Sequence, residues 1–241
     1  MQLYLVRHGQ STNNVIYAKT GSYEGRVPDP ELTDLGLRQA KAVGKLLSKN
    51  APATAEERFL DWGNVMGFSL THIYTSLMVR AVSTAQEIAD ATCITPQAMC
   101  ELHENGGVIE YSRADKSWKG LPGNNRSFFE NRFPNLLLPD DWHKGGWYEA
   151  PFEEPHLRSE RAASVIAQIV DKHIDTDDAV LCVTHAGFHD HLIKIILRLR
   201  RDGTLLFPMN NCAITRIDWN QGQPCLVYLN RISHLSLDEV T

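Results

Sequence analysis

Leu3-Tyr4-Leu5-Val6 opens the chain as four consecutive apolar residues and stops at Arg7-His8-Gly9. An apolar run without alternation is expected of a strand covered on both faces, as in a parallel sheet flanked by helices. Arginine and histidine are costly to bury without partners, so they belong at the carboxyl end of that strand, where open α/β sheets place their ligand crevice. Gly9 allows a tight turn and a close approach of backbone to ligand. Ser11 and Thr12 offer hydroxyls and an N-cap to whatever follows. The pattern recurs at Ala179-Val180-Leu181-Cys182-Val183-Thr184, which ends at His185-Ala186-Gly187. If both strands are central and parallel, His8 and His185 meet at one crevice with Arg7 beside them.

The intervening chain reads as further strands and helices around the same sheet. Tyr17 to Pro30 is rich in Gly, Ser, Asp and Pro and is expected to be loop. Thr33 is placed to cap a helix through Leu47, with Leu37, Ala40, Val43 and Leu47 at helical spacing. Residues 50 to 69 read as a surface excursion with room for a short helix. Thr71 to Thr75 is a second strand, and Val79, Val82 and Ile88 mark the helix after it. Arg80 falls in the first turn of that helix, where a cation opposes the helix dipole, a misfit that suggests a use such as holding an anion.

Residues 94 to 102 read as extended, and residues 106 to 155 then lose periodicity. That stretch gathers Tyr111, Trp118, Phe128, Phe129, Phe133, Trp142, Trp147, Tyr148 and Phe152. Rings in such number favour an ordered cap over a loose linker, packed on the body and also able to line a pocket. Arg113, Lys116, Lys119, Arg126 and Arg132 lie among them and are expected to help the cap set specificity. Leu157 to His173 and Phe188 to Arg200 read as helices, the second with Lys194, Arg198, Arg200 and Arg201 at a solvated end. A hairpin turn at Asn220-Gln221-Gly222-Gln223 joins two final strands. The reading is one domain, 1–241, with an inserted cap at 106–155.

Composition narrows the class. At 241 residues, 43% hydrophobic and 22% charged, the chain can bury a full core. A net charge of −5 argues against a nucleic-acid partner, so any anion site must come from a local cluster of cations. Five scattered cysteines without CxxC spacing suggest reduced thiols and no zinc framework. The chain opens directly into a strand, and no apolar run reaches membrane-spanning length, so a cytoplasmic protein with no membrane partner is expected.

Two arginines and two imidazoles at one crevice suit a group with several oxygens and more than one negative charge, which is a phosphoryl group. Helix N-termini after Gly9 and His185 would add backbone N–H groups to it. A metal site from His185, His189 and His191 is the rival, since the first two have i, i+4 spacing, but the segment lacks the glutamate of HExxH and a clear third ligand. No GxSxG elbow and no GxxxxGK[ST] loop occurs.

The ordered set Arg7-His8-Gly9, Leu32-Thr33 with Gly36 and Gln39-Ala40, Ser76 with Arg80-Ala81 and Thr84-Ala85, Leu102-His103-Glu104, and Thr184-His185-Ala186-Gly187 resembles the histidine phosphatase superfamily, also called phosphoglycerate mutase-like. The resemblance runs in order over nearly the whole chain. It implies an α/β fold, a three-layer sandwich with a mainly parallel central sheet and helices on both faces, here carrying the inserted cap region. It also implies catalysis through a phosphohistidine, with no metal and no cofactor, on a small-molecule phosphate ester. Position by position, His8 resembles the nucleophile, while Arg7, Arg80 and His185 resemble the residues that hold the phosphoryl oxygens. Asn14 and the Ala186 position resemble helpers in that pocket, and Glu104 the general acid and base, a role that calls for partial desolvation. Ala186 stands where many members have Gly. Asn230 and His234-Leu235 resemble the tail of several phosphatases and are read as structural. Mutases of the family carry Glu where this chain has Gln10 and follow the acid with a Glu-Arg-His-Tyr-Gly-like run, where Glu104 is followed by Asn105-Gly106-Gly107. A phosphatase is therefore expected, with a phosphoglycerate mutase or a non-catalytic phosphoryl-binding scaffold as alternatives.

Overall fold

The computed structural model describes residues 1–22, 24–112, 116–140, 142, 145–200, 204–220 and 222–241. In chain order the elements are β1 (Gln2–Arg7), α1 (Thr12–Thr20), α2 (Asp34–Leu47), α3 (Ala55–Leu60), β2 (His72–Thr75), α4 (Val79–Thr92), β3 (Pro96–Ala98), β4 (Ile109–Ser112), β5 (Ser117–Gly120), α5 (Arg126–Arg132), α6 (Pro155–His173), β6 (Ala179–Thr184), α7 (Ala186–Ile196), β7 (Ile214–Asn220) and β8 (Gln223–Arg231). Six strands form one sheet in the order β3-β2-β6-β1-β7-β8. β3, β2, β6 and β1 run parallel, and the β7–β8 hairpin closes the far edge antiparallel.

The uninterrupted apolar strands have the expected cause, since both faces of the sheet are covered. Leu3 and Leu5 of β1 pack with Val165 and Ile169 of α6 and Phe188 and Leu192 of α7. Tyr4 and Val6 point the other way and pack with Val43 and Leu47 of α2 and Ala85 and Ile88 of α4. Each such fully buried aliphatic side chain contributes about 1.5–3 kcal/mol relative to exposure. A third cluster joins the cap to the body, where Phe129, Phe133, Trp147 and Tyr148 pack on Leu77, Met78, Val79 and Val82.

Three elements differ from the sequence reading. α1 runs on to Thr20, because Gly21 takes the left-handed conformation and closes the helix there, its N–H donating to Tyr17 O. α7 starts at Ala186 and stops at Ile196; Lys194 is not a solvated end but is buried and paired with Asp190 at 2.6 Å. Arg198 and Arg200 lie beyond the helix, while Arg201, like Gln221 of the final turn, lies outside the described residues. The stretch 106–155 is not all loop but holds the β4–β5 hairpin and α5. The five cysteines are unbridged, and among the described residues no helix is long and apolar enough to cross a membrane.

The turn after β1 packs against the start of α2 with no room for a side chain. A Cβ on Gly36 would run into the backbone carbonyl of Gln10, and one on Gly9 into that of Gly36. Neither glycine needs a left-handed φ; the requirement is space. Gly36→Ala should therefore lower the unfolding free energy by about 1–3 kcal/mol, as overpacking does. Urea denaturation checks this, and an unchanged midpoint would show that the turn can shift at no cost.

Candidate active site

The strand pairing sets the site. β1 and β6 lie side by side with Arg7 opposite Thr184, so the next residues, His8 and His185, emerge together. Their rings lie 5.0 Å apart between centroids, and both side chains are buried. The turn carrying His8 is tied down by residues that the sequence pattern marked without a role. Gly9 N–H donates to Thr84 Oγ1 at 3.0 Å, and Gln10 N–H to Gln39 Oε1 at 2.8 Å. Asn211, which no sequence signal marked, donates from Nδ2 to the His8 carbonyl at 2.8 Å.

His8 Nδ1 lies 2.7 Å from the carbonyl oxygen of Gly9. A carbonyl only accepts, so Nδ1 carries the proton and Nε2 presents a lone pair. Arg80 Nε donates to that Nε2 at 3.1 Å. Burial, with Arg80 and Arg7 adding to it, holds the His8 pKa well below 6.5. His185 is held low in the same way, by burial first and then by Arg80. Both imidazoles are therefore neutral near pH 7. His185 Nε2 lies 3.0 Å from Ser76 Oγ. That hydroxyl oxygen already accepts from Met78 N–H, so its proton is available to Nε2. This assignment leaves the His185 proton on Nδ1, a buried atom with no partner in the structure.

Arg7 Nη1 donates to the Met209 carbonyl at 2.5 Å, while its buried Nε has no hydrogen-bond partner. Arg80 lies in the first turn of α4, as expected, and the misfit with the helix dipole has an answer the sequence concealed. Asp29 reaches in from the loop before α2. Its Oδ1 accepts the Val79 N–H at the start of α4 at 3.0 Å and sits 3.7 Å from Arg80 Nη1. A carboxylate at a helix N-terminus beside a guanidinium is favoured on both counts.

Glu104 follows a short 3-10 turn after β3, and Thr184 Oγ1 donates to the Leu102 carbonyl at 2.9 Å to hold that turn against β6. Its carboxylate accepts N–H donors from Asn105 at 2.8 Å, Phe188 at 3.1 Å and Gly187 at 3.4 Å. This corrects one expectation: the Gly187 and Phe188 amides at the start of α7 serve Glu104, so positive charge at the crevice comes mainly from side chains. Arg161 braces the segment, donating to the carbonyls of Glu101 and His103 at 2.6 and 2.9 Å while paired with Glu153. Ala186 is the first residue of α7, directly after His185. Asn14 sits in the first turn of α1, where its Oδ1 accepts from Ser11 N–H at 2.9 Å and from Asn211 at 3.4 Å. Asn230 is structural, with Nδ2 donating to Asn210 Oδ1 at 2.8 Å.

The crevice opens into a cleft of about 1330 Å³ lined by Arg80, Glu104 and Gly187 on one side and by loop and cap residues on the other. The cap's rings divide as physics requires. Phe129, Phe133, Trp147 and Tyr148 are core, while Tyr111, Trp118 and Phe152 line the cleft. Of the cap's basic residues, Arg126 pairs with Glu130 and Arg132 with Glu31, Lys116 and Lys119 do not line the cleft, and Arg113 lies outside the described residues. Among the described residues the cleft's cations besides Arg80 are Arg26 and Arg158, which sequence reasoning missed because no local pattern marks them. The rival metal trio is dispersed: His189 Nε2 contacts Thr215 Oγ1 at 3.1 Å and His191 Nδ1 contacts Ser159 Oγ at 3.2 Å, while His185 faces Ser76.

A model of the histidine phosphatase superfamily, branch 1, matches residues 3–56 and 62–232. A protein of Yersinia pestis named "Probable phosphoglycerate mutase" is 25% identical over 230 residues, 92% of this chain and 86% of that one. Solved structures share the fold, among them two phosphatases. Phosphoserine phosphatase of Entamoeba histolytica, solved with 3-phosphoglyceric acid, superposes with a TM-score of 0.58 at 20% identity, covering 98% of this chain and 99% of that one. A mycobacterial glucosyl-3-phosphoglycerate phosphatase gives 0.58 at 21% identity, covering 95% and 98%.

Asp29 makes the site's hold on Arg80 sensitive to pH. Burial raises its pKa from 3.8 to about 6 despite Arg80 and the Val79 N–H, which pull it down. A carboxyl group raised in the folded state contributes stability that is complete below the unfolded pKa and lost as pH rises through the folded one. Between pH 4 and 7 the wild type should lose on the order of 2 kcal/mol relative to Asp29→Asn, given about 1.4 kcal/mol per pKa unit. Urea unfolding of both proteins across that range checks it; parallel profiles would show that Asp29 does not titrate as its burial requires.

Proposed function

The chain belongs to the histidine phosphatase superfamily, and we propose that within it the protein is a phosphomonoester hydrolase acting through a phosphohistidine on His8. The observation that carries this reading is the His8 ring, buried and neutral, with its proton fixed on Nδ1 and its Nε2 lone pair next to Arg80. Nε2 attacks phosphorus in line with the leaving oxygen, the phosphorus–oxygen ester bond breaks, and a phosphorus–nitrogen bond takes its place. As phosphorus approaches, the Arg80 hydrogen bond passes from Nε2 to a phosphoryl oxygen. Arg7, Arg80, the His185 Nδ1–H, Asn14 and the Ala186 amide hold those oxygens, where charge spreads in the transition state. Glu104 protonates the departing oxygen, then takes a proton from the water that attacks phosphorus and frees His8. Acid–base assistance of this kind is worth roughly 10²–10⁴-fold.

Hydrolysis needs water to enter after the alcohol leaves, and the broad cleft beside Glu104 suits that. Gly106 and Gly107 after the acid both have positive φ, and a Cβ on Gly107 would strike the Tyr148 ring, so the bulky run of a mutase has no place there. The leaving group is a small-molecule phosphate ester, its body against Tyr111, Trp118 and Phe152. A mutase reading is favoured by the names of the sequence relatives, and 3-phosphoglycerate separates the two.

With that substrate the protein should release phosphate or do nothing; formation of 2-phosphoglycerate without phosphate release would overturn the hydrolase reading. On a panel of phosphate monoesters, release should persist in EDTA. His8→Ala should abolish it, and Glu104→Gln should slow it by about 10²–10⁴-fold. Release lost to EDTA would exclude the mechanism, and release undiminished in His8→Ala would point to another nucleophile.

A further inference from the structure

A second group of chemistry-bearing side chains lies where β2 and β6 begin and α6 ends, the edge of the parallel sheet opposite to His8. The strands between put it roughly 15–20 Å from the crevice at about 3.3 Å per residue. His72 opens β2, His173 closes α6, and Asp178 immediately precedes β6. One donor atom from each lies within 4.8 Å of the other two. His72 Nδ1 is 3.6 Å from Asp178 Oδ1, and His173 Nδ1 is 2.8 Å from Asp178 Oδ2. Around a tetrahedral zinc ion with bonds of about 2.0–2.1 Å, ligand atoms lie about 3.2–3.5 Å apart. The observed spacings, one to each carboxylate oxygen, lie near that value, and a small side-chain adjustment within the 4.8 Å cluster brings the donors to it.

Backbone and hydroxyl contacts hold the three side chains there, and the Thr71 hydroxyl, 2.9 Å from His72 Nδ1, turns its proton to the Ala179 carbonyl when that nitrogen takes a metal. Thr71 and Ala179 exchange backbone and hydroxyl hydrogen bonds at 2.9 and 3.1 Å, which fixes His72 beside Asp178 across the parallel pair. Thr176 donates N–H and Oγ1–H to the His173 carbonyl and accepts from Asp178 N–H at 3.2 Å, which sets the turn between them. The second nitrogen of His173 is also engaged, Nε2 lying 3.0 Å from Tyr74 OH. An outer hydrogen bond of this kind orients a ligating imidazole and fixes its tautomer. His72 and Asp178 are partly open to solvent, with side chains 39% and 20% exposed, which leaves a side for a water ligand. The opposing charge is Lys172, whose ammonium donates to Tyr74 OH at 2.8 Å, on the far side of the His173 ring from Nδ1.

We propose that His72, His173 and Asp178 bind a divalent first-row transition-metal ion, zinc in type, that clamps the end of α6 to the starts of β2 and β6. On binding, the imidazole proton of His173 moves from Nδ1 to Nε2, where it is donated to Tyr74 OH, and the metal takes the freed Nδ1 lone pair between the imidazoles and the carboxylate. Two imidazoles and one carboxylate suit zinc, cobalt or nickel and not calcium or magnesium, which prefer oxygen donors.

The test is titration of the purified, EDTA-stripped protein with Co²⁺, read by visible d–d absorption, and with Zn²⁺, read by calorimetry. One ion should bind per chain and raise the melting temperature, and His72→Ala and Asp178→Asn should each weaken binding by more than about tenfold. His72 is half-exposed, so that variant keeps the fold, and its phosphate-release rate should match the wild type. No binding of either ion would overturn the proposal. Binding undiminished in both variants would also overturn it and would place the metal elsewhere, such as on His8 and His185.

Discussion

Side-by-side pairing of β1 with β6 is the constraint on which the site depends. The register sets Arg7 opposite Thr184, so each strand delivers a histidine at the same height. A slip of one residue would turn every side chain of β1 to the other face, moving Leu3 and Leu5 off α6 and α7 and Tyr4 and Val6 off α2 and α4. Burial on both faces therefore holds the register, and the register holds the chemistry. The hairpin β7–β8 completes the sheet on the other side of β1 and brings Asn211, just before β7, under the His8 carbonyl.

Two guanidiniums buried at one crevice are costly, and the way that cost is met shapes the electrostatics. Arg80 has Asp29 beside it, and Asp29 in turn caps α4, so a single carboxylate answers both a buried cation and an open helix end. The imidazoles answer differently. Buried, and beside positive charge, they give up the proton. The consequence is a His8 imidazole that presents an unprotonated Nε2 at neutral pH without a dedicated base, as the proposed role of nucleophile requires, because the environment rather than a neighbour keeps that nitrogen free of its proton. Glu104, whose charge acts on both Arg7 and Arg80, is fastened to the first turn of α7 by backbone amides.

The cap is where reading the chain in one dimension worked least well. Its rings were legible as an ordered packing unit, and most of them are that. Which rings face the cleft depends on how the β4–β5 hairpin folds back, and only Tyr111, Trp118 and Phe152 do. Those of the expected basic residues of the cap that are described instead pair with Glu31 and Glu130 or stand away from the cleft, because an arginine on a short amphipathic helix has nearer acids to meet. Arg26 and Arg158 reach the cleft from segments far apart in sequence, with no local pattern to mark them.

By itself the sequence determined most of the elements and the candidate reactive groups. Two apolar strands ended by histidine, the capped helix from Thr33 and the ordered motif residues follow from burial, periodicity and turn chemistry, which act over a few neighbours. The family was legible for the same reason, since its motifs are short and local. Only the tertiary structure decided which groups face one another. Asp29 on Arg80, Ser76 on His185, the α7 amides on Glu104 and the His72–His173–Asp178 cluster all join residues distant in the chain. Such pairings depend on strand order and loop path, and those are set by the packing of the whole sheet, not by any stretch of it.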